Sequence, residues 1–143
     1  MKKNITAAIV LLFTAFAFNV STSFAQCDTI ANSCLKNLGR QFVSDGQNYR
    51  SLLLDEETAE FHATFYGGST YRLAACSGTG DGNLIIKVYD KDRNLLFSNG
   101  DHKNASYWDF KFKGTMDCTI EANLDKNKAI SSGCAVLLIG FKQ

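Results

Sequence analysis

The protein has 143 residues, 45% hydrophobic and 20% charged, and its 15 basic and 14 acidic residues give a net charge of +1. This near-neutral balance, with no run of basic residues beyond the N-terminus, argues against binding to nucleic acid or to an anionic membrane surface. A chain of this length forms one domain with room for a hydrophobic core.

Residues 1–25 have the pattern of a cleaved secretory signal peptide. Two lysines precede an apolar run at residues 5–20, and a small-x-small sequence ends at Ala25, as signal peptidase requires. We expect cleavage near Ala25 and a secreted or periplasmic protein without a membrane span. A lipoprotein anchored at Cys27 is the alternative. Gln26 disfavours it, because a lipobox has a small residue at that position.

One short helix is predicted directly after this leader. Asp28 is a suitable N-cap and Gly39 a suitable residue just beyond the C-terminus. Between them apolar side chains recur at helical spacing, namely at Ile30, Cys34, Leu35 and Leu38.

The five cysteines all follow the leader, and export makes disulfides feasible. Because five is odd, at least one thiol is free or pairs between chains. Cys27 and Cys34 are about 10 Å apart along a helix, which disfavours a bond between them. A bridge from Cys76 to Cys34 or to Cys27 would attach the helix to a sheet. Each of the other two cysteines, Cys118 and Cys134, is either a buried thiol or half of a bridge.

From Phe42 onward the apolar residues recur with a period of two, and glycine, Asn and Asp turns separate them. This pattern predicts strands. The last of them is almost entirely apolar, as expected for a central strand covered on both faces. The predicted strands are Tyr49–Leu54, Thr58–Tyr66, Tyr71–Ala75, Leu84–Tyr89, Leu95–Ser98, Tyr107–Lys113, Asp117–Leu124 and Cys134–Phe141.

Two hairpins are predicted from the alternation of inward and outward side chains along these strands. A three-residue glycine turn would pair Phe65 with Tyr71, and a second turn, at residues 114–116, would pair Phe110 with Ile120. Both registers keep the large apolar side chains on one face.

The fold class follows from this succession of elements. About eight short strands, with a helix only at the start, predict an all-β fold, either an antiparallel β-sandwich or a jelly roll. It forms a single domain over residues 26–143. Aromatic side chains such as Trp108 and Phe110 would fill the space between the sheets, and each fully buried one contributes about 1.5–3 kcal/mol.

The segment Phe65–Ala75, followed by Leu84–Asp90, resembles the bacterial pre-peptidase C-terminal type of β-sandwich domain. The shared features are a glycine turn, a Tyr-x-apolar strand, and an apolar strand that ends in Tyr-Asp before a polar turn. Such domains accompany secreted enzymes, are not catalytic, and are associated with adhesion or substrate binding. The resemblance therefore implies a binding module. The chain also looks like small exported bacterial proteins of unknown function.

Few residues suit catalysis, and no catalytic residue is assigned. The two histidines, His62 and His102, are predicted on the surface, and no motif combines a nucleophile with a base. A hydrolase with dispersed carboxylates is the alternative, using Glu60, Asp109 and Glu121. The second hairpin would place Asp109 opposite Glu121 on the outer face.

One pattern has the spacing of a metal-binding loop. Asp90, Asp92 and Asn94 have the oxygen spacing with which a calcium loop begins. The sixth position is Leu95 instead of glycine, and a strand begins there, so a solvated hairpin turn explains the pattern better. Calcium is the one cofactor that the sequence leaves open.

Three tyrosines are candidates for ligand binding. Tyr66, Tyr89 and Tyr107 occupy outward positions, where aromatic rings can hold sugars or peptides. The leading hypothesis is a non-catalytic exported module that binds a glycan or a protein surface. The alternatives are the hydrolase and a structural, envelope-associated protein that oligomerises through its spare thiol. The sequence leaves the oligomeric state open.

Overall fold

The computed structural model describes residues 23–142, so the predicted signal peptide lies almost wholly outside the described part. Within it the fold is all-β with one α-helix at the start, as predicted. A 3-10 helix follows the sixth strand. The elements are α1 (Ser23–Leu38), β1 (Val43–Ser44), β2 (Tyr49–Leu54), β3 (Thr58–Phe65), β4 (Thr70–Cys76), β5 (Leu84–Asp90), β6 (Leu95–Ser98), the 3-10 helix (Asn99–His102), β7 (Tyr107–Lys111), β8 (Met116–Leu124) and β9 (Ser132–Lys142).

Two antiparallel sheets stack on each other as a sandwich. In sheet A, β1 and β2 share one edge of β9, and β4 and then β7 follow on its other side. Sheet B has the order β3-β8-β5-β6. The inward side chains of both sheets form the main core, and its fully buried members include Phe65, Leu53, Leu73, Ile86, Ile120 and Leu137.

The helix covers the outer face of sheet A, where Ala74 and Val136 form a second buried cluster with three cysteines. Two disulfides cross this interface and join α1 to β9 and to β4. Each one closes a long loop, and removal of such a bridge typically costs about 2–5 kcal/mol. The bridges are Cys27–Cys134 and Cys34–Cys76, so one of the two predicted pairings of Cys76 is confirmed.

The helix begins earlier than predicted. It starts at Ser23, and Asp28 therefore lies inside it instead of capping it. No glycine or proline stands between these two residues to prevent the earlier start. Asp28 instead forms an ion pair with Arg50 of β2. The C-terminal prediction is confirmed, because Gly39 follows the helix with a φ of +77°. No helix in the described part is both long and apolar enough to cross a membrane.

Both predicted hairpins at residues 67–69 and 114–116 are wrong. Phe65 lies opposite Met116 of β8, and Tyr71 lies opposite Phe110 of β7. The turns carry the chain from one sheet to the other. In a sandwich the strands of both sheets turn their apolar sides inward, so parity does not distinguish a hairpin from a crossing between sheets. The β5–β6 turn does form a hairpin, and β9 is central, as predicted.

Candidate functional site

The sandwich has two open sides, where an edge of one sheet lies above an edge of the other. On the β6–β7 side, the edges are β6 and β7; on the β3 side, β3 lies below β1 and β2. Aromatic rings pack together on the β6–β7 side. The ring centroid of Phe97 is 5.2 Å from that of Trp108 and 5.0 Å from that of Phe110, and the His102 ring packs against Trp108 at 4.1 Å.

The β3 side has small side chains and is open. Two adjoining hollows, of about 470 and 340 Å³, share Ala63 and Thr64 of β3, and together we call them the β3 crevice. Between the two sheets on this side, the ring of Phe61 packs against that of Tyr49, with 6.1 Å between the ring centroids. The larger hollow is lined by Gln47, Tyr49, His62, Lys91, Asp117, Cys118 and Thr119, and the smaller by Asp45, Tyr66, Ser69, Tyr71, Ile139 and Phe141.

The larger hollow has a polar rim. The hydroxyl of Thr64 donates to Asp117 at 2.6 Å, and the imidazole of His62 lies 3.3 Å from the Thr119 hydroxyl and 3.3 Å from a carboxylate oxygen of Glu60. The Thr119 hydroxyl, the His62 imidazole and the Glu60 carboxylate are connected as a nucleophile, its base and the group that orients the base would be. The His62 side chain is 72% exposed, however, so it lacks the dry, preorganised surroundings that activate a hydroxyl. The predicted surface position of His62 is confirmed.

Tyr49 forms the other wall of this hollow, and its partner Asp45 lines the smaller hollow beside it. The Tyr49 hydroxyl donates to Asp45 at 3.0 Å, and Asp45 also accepts from the backbone N–H of Gln47 at 2.9 Å. Burial raises the pKa of Tyr49 to about 12, and the negative charge of Asp45 adds to the shift. The sequence did not identify these residues as a site, although the Asp-Gly pair at 45–46 signals the turn that brings them together.

Cys118 forms part of the floor of the larger hollow. It is the free cysteine and is only 3% exposed. Burial, followed by the charges of Asp90 and Asp117, raises the pKa of its thiol to about 11. Because the thiolate is the reactive form, this thiol is a poor nucleophile at neutral pH. Its burial also keeps it from bridging to another chain.

Tyr66 stands at the rim of the smaller hollow and is 61% exposed. Its backbone N–H donates to the hydroxyl of Tyr71 at 3.0 Å. The next residue, Gly67, packs against a second loop so closely that a Cβ there would lie 2.9 Å from Cα of Gly114. Beneath them Phe65 stacks on Phe112 at 4.7 Å. The exposed ring of Tyr66 therefore extends from a backbone that these contacts fix in place.

The other two predicted tyrosines lie elsewhere. Tyr89 is on the outer face of sheet B, with the guanidinium of Arg93 4.8 Å from its ring centre. Tyr107 is on the outer face of sheet A, 47% exposed, with Arg72 at 4.2 Å. The structure therefore does not bring Tyr66, Tyr89 and Tyr107 together into one aromatic surface.

Arg72 links Tyr107 to the end of the helix. It lies over the ring of Phe42 at 4.4 Å and donates to the carbonyl of Leu38 at 3.4 Å. Its two hydrogen bonds to Asp109, at 2.7 and 2.9 Å, lower the pKa of that carboxyl. The contacts of this cluster hold α1 against sheet A.

The predicted carboxylates do not form a pair for catalysis. Asp109 lies opposite Arg72 in sheet A, so its predicted position opposite Glu121 is wrong. Glu121 lies opposite Glu60 in sheet B, and Arg93 contacts both carboxylates, at 2.5 and 3.4 Å. Asp109 is thus separated from the other two by the core, and an arginine occupies the space between the pair that remains.

The predicted calcium residues form a turn. One carboxylate oxygen of Asp90 accepts from the backbone N–H groups of Asp92 and Asn94, at 2.9 and 2.8 Å, and the other accepts from the Asn94 side-chain amide at 2.8 Å. The hydrogen bonds from Asn94 lower the pKa of Asp90. In the described part of the chain no three His, Cys, Asp or Glu residues are grouped as a metal site. Calcium binding at this turn stays a prediction.

No family model and no curated protein matches the sequence. Among solved structures the fold is similar to the crystal structure of Aeromonas hydrophila PliG, a periplasmic lysozyme inhibitor of g-type lysozyme. The TM-score is 0.50 and the identity 12%, and the match covers 73% of this chain and 90% of the other. At this identity the similarity shows a shared fold. The resemblance to pre-peptidase C-terminal domains remains a prediction.

Proposed function

We propose that this protein is an exported, non-catalytic module that binds another protein through Tyr66 and the β3 crevice. The observation that carries the proposal is the 61% exposed ring of Tyr66 at the edge of an apolar hollow. A large ring on a preorganised base loses little conformational entropy on binding, and tyrosine is enriched among the residues that dominate protein interfaces.

The surroundings of Tyr66 favour a protein partner over a glycan. The smaller hollow has an apolar floor of Ile139 and Phe141, and the polar side chains of His62 and Asp117 line the neighbouring hollow. An apolar centre with a polar rim is the usual anatomy of a protein interface. The two other outward tyrosines are on different faces of the sandwich, so they cannot extend Tyr66 into a row of rings for successive sugars.

Other features support export and the absence of catalysis. The two disulfides are typical of proteins outside the cytoplasm, which agrees with a leader removed near Ala25. The surroundings of the potentially reactive groups do not favour catalysis. The His62 side chain is exposed to solvent and arginines pair with the candidate carboxylates. The Cys118 thiol stays protonated at neutral pH. The shared fold with a periplasmic lysozyme inhibitor makes an extracytoplasmic enzyme, and first a g-type lysozyme, the partner class to test.

Titration of a g-type lysozyme with the purified protein, followed by lytic activity and calorimetry, tests the proposal. We expect binding, and we expect Tyr66→Ala to weaken it about 30-fold, as loss of a central aromatic anchor does. Tyr107→Ala is the matched control and should leave the affinity unchanged, because Tyr107 lies on the outer face of sheet A, away from the β3 crevice.

If this lysozyme does not bind, capture from an extracytoplasmic extract with the wild-type protein and the two variants identifies other partners. A partner held equally well by wild type and Tyr66→Ala contradicts the proposed surface. Failure to capture any protein with the wild type contradicts the proposed function.

A further inference from the structure

Strand β3 is an unprotected edge. It has eight residues and pairs with β8 without interruption from Thr58 to Phe65. The other edge strands among the described residues are shorter, and the pairing of β6 is broken by a bulge. An edge presents unpaired N–H and C=O groups, which proteins usually blunt with lysine, proline or a bulge. β3 contains none of these.

The side chains of β3 show that this edge is open to solvent. Phe61 and Ala63 point toward the space between the sheets, yet both remain half-exposed, and Thr58, Glu60 and His62 are exposed on the outer face. The β3 crevice lies along the same strand. Nothing in the described part of the chain covers the strand.

We propose that the edge pairs with β3 of a second copy of this chain, antiparallel and about a two-fold axis at Phe61. In this register each Glu60 lies opposite His62 of the second copy, and each Thr58 lies opposite Thr64. Because the operation is two-fold, each of these pairs forms twice. Thr–Thr pairs are among the cross-strand pairs that stabilise sheets, and an imidazole N–H can donate a hydrogen bond to the facing carboxylate.

The chemistry of the two faces favours this register. On the outer face the Glu60 side chain is 48% exposed and forms ion pairs with His62 and Arg93, and a carboxylate has lone pairs for a further donor. On the inner face the small side chains of Ala59 and Ala63 would face each other, and the half-exposed ring of Phe61 would meet its own copy. An axis at His62 would instead place two imidazoles opposite each other and leave Glu60 opposite Thr64.

This interface shares His62, Ala63 and Thr64 with the β3 crevice and leaves only the ring of Tyr66 outside the paired strands. Tyr66 is five residues from Phe61, about 17 Å along an extended strand, and lies outside the paired span 58–64. The inference does not rest on the proposed function, because self-association is measured without any partner, and a dimer would carry two exposed Tyr66 rings.

Sedimentation equilibrium of the purified protein at micromolar to near-millimolar concentration tests this assembly. We expect a monomer–dimer equilibrium, with amide hydrogen exchange in β3 slowing as the concentration rises. His62→Glu would place two pairs of glutamates opposite each other and weaken the dimer about tenfold. Adding Glu60→Lys to that variant restores opposite charges, and the affinity should return to within about threefold of wild type.

Leu96→Glu is the matched control, because it adds a negative charge at an exposed position of β6, the opposite edge strand of the same sheet. It should leave the dimer unchanged and report any general effect of charge or folding. A protein that stays monomeric throughout overturns the inference. So does a dimer that His62→Glu does not weaken, or β3 amides that become protected only when a different protein is added.

Discussion

The two open sides of the sandwich differ in what fills them. On the β6–β7 side, Phe97 is 9% exposed and packs against the rings of Trp108, Phe110 and His102. On the β3 side, Phe61 has one ring neighbour, Tyr49, and the positions beside it are the alanines 59 and 63. Large rings pack between the sheets on one side, and small side chains leave the β3 crevice on the other.

This difference implies that one side contributes mainly to stability and the other mainly to binding. Rings that bury each other contribute both apolar area and favourable edge-to-face contacts. An open edge with hollows contributes less to stability, yet it offers backbone groups, a polar rim and the exposed ring of Tyr66 to a partner. We therefore expect substitutions on the β6–β7 side to change the free energy of unfolding, and substitutions on the β3 side to change association.

The largest effect should come from Phe97→Ala. Truncation of this ring leaves a cavity among the surrounding aromatics, and we expect a loss of about 3–4 kcal/mol in the free energy of unfolding. Phe61→Ala is the matched substitution on the β3 side. It should cost only about 1 kcal/mol, because the ring is half-exposed and water can enter the crevice. Urea denaturation of the oxidised protein measures both values.

The ratio of the two losses in unfolding free energy tests whether the two sides differ in packing. If Phe61→Ala costs as much as Phe97→Ala, the β3 side is as tightly packed as the other and is not an open surface. Unchanged m-values for both variants are needed, so that a change in the unfolded state is not mistaken for a change in packing.

A smaller effect is expected from the ionisation of Tyr49. Its pKa is about 12 in the folded protein and about 10 in an unfolded chain, so the folded state holds the proton more tightly. The stability from this group is complete below pH 10 and is lost as the pH rises through about 12. Tyr49→Phe should therefore flatten the fall in stability between these pH values.

The variant Asp45→Asn separates the causes of this shift. Burial is the main cause and Asp45 the second, so the substitution should lower the pKa of Tyr49 only part of the way to 10. Phenolate absorbance during alkaline titration, compared with Tyr49→Phe, measures it. A full return to about 10 would show that the β3 side does not bury this ring.

The fold class could be predicted because it depends on local pattern. The period of two gave all the main strands, and the nearly continuous apolar run near the C-terminus gave the central strand β9. The Cys34–Cys76 bridge was one of two options because the helix had to cover a sheet face near β4. Strand pairing failed at the β3–β4 and β7–β8 turns, since a crossing between sheets satisfies the same parity as a hairpin.

The candidate site could be predicted only in part. Tyr66 was identified because an outward aromatic beside a glycine turn is a local feature. The crevice was not, because its walls come from the loop at 45–48, from β3 and from β8, which are distant in sequence and meet only through the sheet order. Tyr49 has the same alternation in sequence as any core residue, so nothing local distinguishes it.

The smallest effect concerns Cys118, and it measures how far the β3 side opens. The thiol lies under the larger hollow but is 3% exposed, with a pKa of about 11. We expect iodoacetamide to leave the native protein unlabelled at neutral pH and to add one label per chain in urea, since the other four cysteines are bridged. Cys118→Ala should show no label in either state. Rapid labelling of the native protein would mean that β3 and β8 separate readily. The whole β3 edge would then open locally, and the hollows would be only one sign of its low stability.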